Sequence, residues 1–130
     1  MELYFPAERP EQLAFIAAAL VALIGLLVLI LPGRALKLAG FAVGEITASG
    51  YGATRATGGL HLGLGLSALF LAQDWTYLTL GAALLSAAFG RLVSLFADRG
   101  FTPHNIAFLL LEVVLGALPL GYVLGYLSGL

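Results

Sequence analysis

Arg55, Arg91 and Glu112 are ionisable residues set in stretches otherwise apolar enough to lie in a lipid bilayer. A charge at bilayer depth costs roughly 2.5 to 3.5 kcal/mol on insertion scales, so it is rarely left unpaired. Two cations and one anion on three separate stretches therefore predict a single polar cluster that ties helices together. Two chemistries fit such a cluster. In the simpler, Glu112 bridges both arginines and fixes helix register, a device for specificity rather than net stability. In the other, Glu112 neutralises one arginine and the second holds a phosphate or carboxylate.

The remaining polar side chains add little chemistry. His61 lies six residues beyond Arg55, about 9 Å further along a helix. A proton relay from His61 to Glu112 is one reading; a packing histidine bonded to a backbone carbonyl is the simpler one, since no second relay group follows. Arg91, Ser94 and Asp98 fall at i, i+3 and i+7, which is one helix face, and Asn105, Glu112, Gly116 and Pro119 share a stripe further on. Asp98 and Arg99 read as solvated charges that end a helix, and His104 as a cap or interfacial residue. No H-E-x-x-H spacing or G-x-S-x-G setting occurs, so neither a metal, a cofactor nor an enzyme activity is expected.

These residues must be positioned by membrane helices. The chain has 130 residues, 61% of them hydrophobic and 10% charged, against about 25% charged in soluble domains. That leaves room for a single integral membrane domain, residues 1–130, folded as an all-α four-helix transmembrane bundle. The spans are expected at about 11–31, 51–71, 75–96 and 104–127, with an amphipathic surface helix and a flexible approach at about 34–50. Pro32-Gly33 closes the first span, Gln73-Asp74-Trp75 forms a hairpin between the second and third, and Pro119 predicts a kink in the fourth. Gly58, Gly59 and Gly63 give the second span a small-residue surface for close packing, with Gly59-x-x-x-Gly63 as its core. The N-terminus lacks the basic start of a signal peptide, so the first span reads as retained.

Charge placement sets the expected orientation. Arg34, Lys37 and Arg99 stand in the loops after spans one and three, with Arg55 and Arg91 near the same side, whereas Arg9 alone serves the other side. The positive-inside rule puts those loops in the cytoplasm and both termini outside, in the periplasm of a bacterial inner membrane. A net charge of −1 argues against a nucleic-acid partner, and the absence of cysteine removes disulfide and thiolate chemistry.

At these residues the chain resembles a bacterial family of small four-helix integral membrane proteins catalogued as a domain of unknown function. The resemblance rests on Pro32, on Arg55-Ala56-Thr57-Gly58-Gly59 with Gly63 and Gly65, on Gly90-Arg91-Leu92-Val93-Ser94, on Asp98-Arg99-Gly100 and on Glu112. It extends over nearly the whole chain and is similar, more loosely, to DoxX-like four-helix proteins. It implies the bundle and the three-residue cluster and supplies no activity.

The expected function is that of an accessory or structural subunit in the lipid bilayer, packing against a larger membrane protein or as a homo-oligomer. The alternative is a binding or transport module that holds an anionic lipid, a quinone-like headgroup or a small organic anion at Arg55, Arg91 and Glu112.

Overall fold

The computed structural model describes residues 2–130, and among them every regular element is helical. The elements are α1 (Arg9–Ile30), α2 (Pro32–Leu38), a 3-10 turn (Val43–Glu45), α3 (Ala48–Leu71), α4 (Asp74–Ala97) and α5 (Pro103–Val123). There are thus five α-helices rather than the expected four, because the segment after the first span contributes one of its own. Three of them, α1, α4 and α5, are long and apolar enough to cross a membrane. The helix expected as the second span, α3, has 24 residues, but its glycines, threonines, Arg55 and His61 keep it outside that set.

Local chemistry explains the boundaries. Pro10 lies in the first turn of α1, where its missing N–H is no loss, and Pro32 and Pro103 open α2 and α5 in the same way. Thr47 and Thr102 cap α3 and α5 by accepting hydrogen bonds from Gly50 N and Asn105 N, each at 3.1 Å. Within 34–50, where a short amphipathic helix and then a flexible approach were expected, the helix is α2. It stops at Leu38, because Gly40 takes a φ of +93° and Phe41 N and Gly40 N turn back to Leu36 O and Lys37 O. The fourth long helix ends at Val123, short of the expected 127, for the same reason. Gly125 (φ +81°) lets Tyr126 N and Gly125 N close on Gly121 O and Tyr122 O. The hairpin between α3 and α4 consists of Ala72 and Gln73 alone, with Asp74 and Trp75 already in the first turn of α4.

The four long helices alternate in direction. α1 packs most extensively on α3, α4 on α5 and α1 on α5, while α3 touches α4 more lightly. Where α1 crosses α3, the backbones approach so closely that a Cβ on Gly58 would lie 2.6 Å from Leu29 N, and one on Gly65 2.7 Å from Ala22 N. The facing surface of α1 is equally small, with Ala14, Ala18, Ala22 and Gly25 all buried. Lipid tails are as apolar as leucine, so it is this close van der Waals packing that joins such helices in a bilayer. Gly58 packs as expected of it, but Gly59 and Gly63 do not, since a Cβ on either would meet nothing within 4 Å. The helical phase puts Gly58 and Gly65, seven residues apart, on the α1 side, and turns Gly59 and Gly63 away from it.

The buried core joins Ala14, Ala17, Ala18 and Val21 of α1 to Ala68 of α3, Tyr77, Leu80 and Leu84 of α4, and Leu115 of α5. It lies nearer the end where α1 and α4 begin. Five of the six cations belong to the opposite end, which carries Arg34, Lys37, Arg55, Arg91 and Arg99. Glu2, Glu8, Glu11 and Asp74 accompany Arg9 at the first end.

Candidate functional site

The α4–α5 seam places one ion pair. On α4, Gly81, Leu84, Ala88, Arg91 and Leu95 follow one another at intervals of three and four residues, and all except the half-buried Arg91 are buried. On α5, Asn105, Phe108, Glu112, Leu115 and Pro119 repeat the same spacing. Two such stripes running antiparallel stack in layers, as in coiled-coil packing. Gly81 meets Gly116 in one layer and Arg91 meets Glu112 in another.

The Arg91 Nε–H is shared between both carboxylate oxygens of Glu112, at 2.9 and 2.8 Å. Arg91 Nη1 donates to Asn105 Oδ1 at 3.1 Å, and the guanidinium carbon lies 5.2 Å from the centroid of the Phe108 ring. Asn105 Nδ2 in turn donates to Gly100 O at 3.0 Å, which ties the α4–α5 turn to the network. Glu112 is the more enclosed partner, with 14% of its side chain exposed against 34% for Arg91. The arrangement pairs the two charges and joins α4 to α5 within one layer of the seam.

Arg55 stands apart from this pair. Its Nη1 donates to Leu29 O at 2.6 Å, a carbonyl in the last turn of α1 that the helix itself leaves without a partner. Among the described residues Arg91–Glu112 is the sole ion pair, so the expected Arg55–Glu112–Arg91 bridge is replaced by one pair and one helix cap. The packing order explains the difference: α3 packs on α1 and more lightly on α4, and it has no extensive contact with α5, which carries Glu112.

The other candidates resolve individually. His61 Nδ1 donates to Thr57 O of its own helix at 2.8 Å, and no hydrogen bond connects it with Glu112. Ser94 is half-buried, and its carbonyl accepts from Asp98 N and Gly100 N. Asp98 is exposed at the end of α4. His104 lies against Gly40, where a Cβ would come within 3.1 Å of its Nδ1. No group of three or more His, Asp or Glu able to hold a metal occurs among the described residues. The partners that sequence reasoning did not assign to Arg91 are Asn105 and Phe108, although their i, i+3, i+7 spacing with Glu112 carried the signal.

A family model described as Domain of unknown function (DUF4345) matches residues 11–123. The chain belongs to that family. The match takes in all four long helices apart from the first two residues of α1, and with them Arg55, Arg91, Asn105 and Glu112. No curated protein and no solved structure matches the chain. Nothing in these matches ties it to the DoxX-like proteins.

Proposed function

We propose that the chain is a small polytopic membrane protein whose role is lateral assembly: it packs through α3 against a membrane partner, a larger subunit or a second copy. The observation that carries this reading is the outward face of α3. Gly52, Ala56, Gly63 and Ser67 are exposed there, Gly59 is partly exposed, and a Cβ on any of these glycines would meet nothing. Such a face suits close helix approach, and α3 is too polar to join the helices apolar enough to cross a membrane on their own. Covered by a partner, α3 becomes the fourth span of a four-helix transmembrane bundle. The cation-rich end then faces the cytoplasm and the termini lie outside, in a bacterial inner membrane.

The chain has no cysteine, which makes site-directed cross-linking clean. Gly63→Cys in native membranes is expected to give one discrete cross-linked product, and Val114→Cys, on the exposed surface of α5, none. Equal cross-linking at both positions, or at neither, contradicts the reading.

A further inference from the structure

The junction of α1, α2 and α3 gathers cations that nothing among the described residues neutralises. Arg55 is exposed, and its single hydrogen bond sets its guanidinium level with the last turn of α1 through Leu29 O. One turn earlier on α3, the ring and hydroxyl of Tyr51 lie beside Gly33 of α2, each 3.7 Å from where a Cβ would stand. Arg34 follows Gly33, and Lys37 comes three residues later on the same short helix; both are exposed. None of Arg34, Lys37 and Arg55 forms an ion pair among the described residues, and Glu45, exposed on the 3-10 turn, pairs with none of them.

The position of these groups selects their ligand. α2 starts two residues after α1 ends, so its cations sit where a helix leaves the hydrocarbon, at the depth of lipid phosphates. Arg55 begins deeper, about 10 Å into α3, but its head reaches the last turn of α1 at Leu29 O, toward the α2 end, as long basic side chains do near span ends. Among the described residues its Nε and second amino group make no hydrogen bond, and a guanidinium presents such donors in a geometry suited to phosphate oxygens.

We propose that Arg55 and Arg34, assisted by Lys37 and the Tyr51 hydroxyl, bind the phosphate of an anionic phospholipid in the leaflet at the cation-rich end. The site differs from the three-residue pocket expected from the sequence, since Arg91 is neutralised by Glu112 and only Arg55 keeps its charge available. It rests on the membrane insertion proposed above. A basic residue that meets the lipid phosphate contributes about fivefold to its retention, whereas Arg99, in the α4–α5 turn, stands outside this junction.

The test is native mass spectrometry of the full chain from mixed micelles holding equal amounts of phosphatidylglycerol and phosphatidylcholine. The wild type should retain phosphatidylglycerol selectively, with about fivefold weaker retention in Arg34→Gln and in Arg55→Gln and no change in Arg99→Gln. Arg34 is exposed and makes no side-chain hydrogen bond among the described residues, so Arg34→Gln decides the outcome if Arg55→Gln unfolds. Equal retention of both lipids, undiminished retention by Arg34→Gln, or equal weakening by Arg99→Gln overturns the proposal. Displacement of the lipid by millimolar inorganic phosphate overturns it as well, in favour of a soluble anion. Loss of the protein from membranes on carbonate washing reports failure of insertion itself, separately from lipid choice.

Discussion

Arg91 and Glu112 are 21 residues apart in sequence, and the Nε of one lies within 2.9 Å of both carboxylate oxygens of the other. Removing one member leaves the other charge enclosed without a partner. Losses of 3–5 kcal/mol are typical of a fully buried pair, and the partial exposure of Arg91 reduces the expected cost to about 1–3 kcal/mol. Glu112→Leu should therefore lower the unfolding midpoint in detergent more than the double variant Arg91→Leu/Glu112→Leu does. Equal loss in both would show that the pair contributes nothing specific to register.

Glycines on the two sides of α3 should separate folding from assembly. Gly58→Leu drives a side chain into the backbone of α1 at Leu29 and Gly25 and is expected to destabilise the monomer by several kcal/mol through overpacking. Gly59→Leu and Gly63→Leu project into open space. They should leave the unfolding midpoint nearly unchanged while weakening lateral association, measured by cross-linking yield in membranes.

Tyr77 offers a test of the core. Its hydroxyl is buried and has no hydrogen-bond partner among the described groups, while its ring packs edge-on against Tyr122 at 5.6 Å. Tyr77→Phe keeps the ring contact and removes the orphaned hydroxyl, so it should be neutral or stabilising by up to about 1 kcal/mol. A loss of about 2 kcal/mol or more on the same scale would mean that the hydroxyl is bonded in the folded protein.

Gly40 should be intolerant of substitution. At φ +93° any other residue is strained by about 1–2 kcal/mol, and here its side chain would also meet His104. Gly40→Ala is expected to lower the unfolding midpoint, whereas Gly44→Ala, with open space around it and no positive φ, should not.

The sequence made the long helices legible because apolar runs of span length, prolines at helix starts and capping threonines are local signals. It also marked Arg55, Arg91 and Glu112 as one cluster, through the cost of leaving a charge alone in an apolar helix, and of these only Arg91 and Glu112 pair. What it could not supply was the neighbour order. Arg55 carries the same charge and lies at a similar depth to Arg91, and only the packing of α3 on α1 sends it to Leu29 O. Gly59 and Gly63, expected to pack alongside Gly58, turn away from α1 for a related reason. Gly58 and Gly59 are adjacent, and a helix turns adjacent residues about 100° apart, so composition alone cannot choose which one faces the bundle. Within 34–50 the end of the short amphipathic helix was not legible either: the positive φ of Gly40 stops α2 after two turns.

Lateral assembly through α3 is the central claim, and native mass spectrometry of the protein extracted gently from its own membrane tests it most directly. The expected result is a stoichiometric complex, either with a larger membrane protein or between copies of this chain, that Gly63→Leu dissociates. A bare monomer from the wild type, or a complex that Gly63→Leu leaves intact, would contradict it.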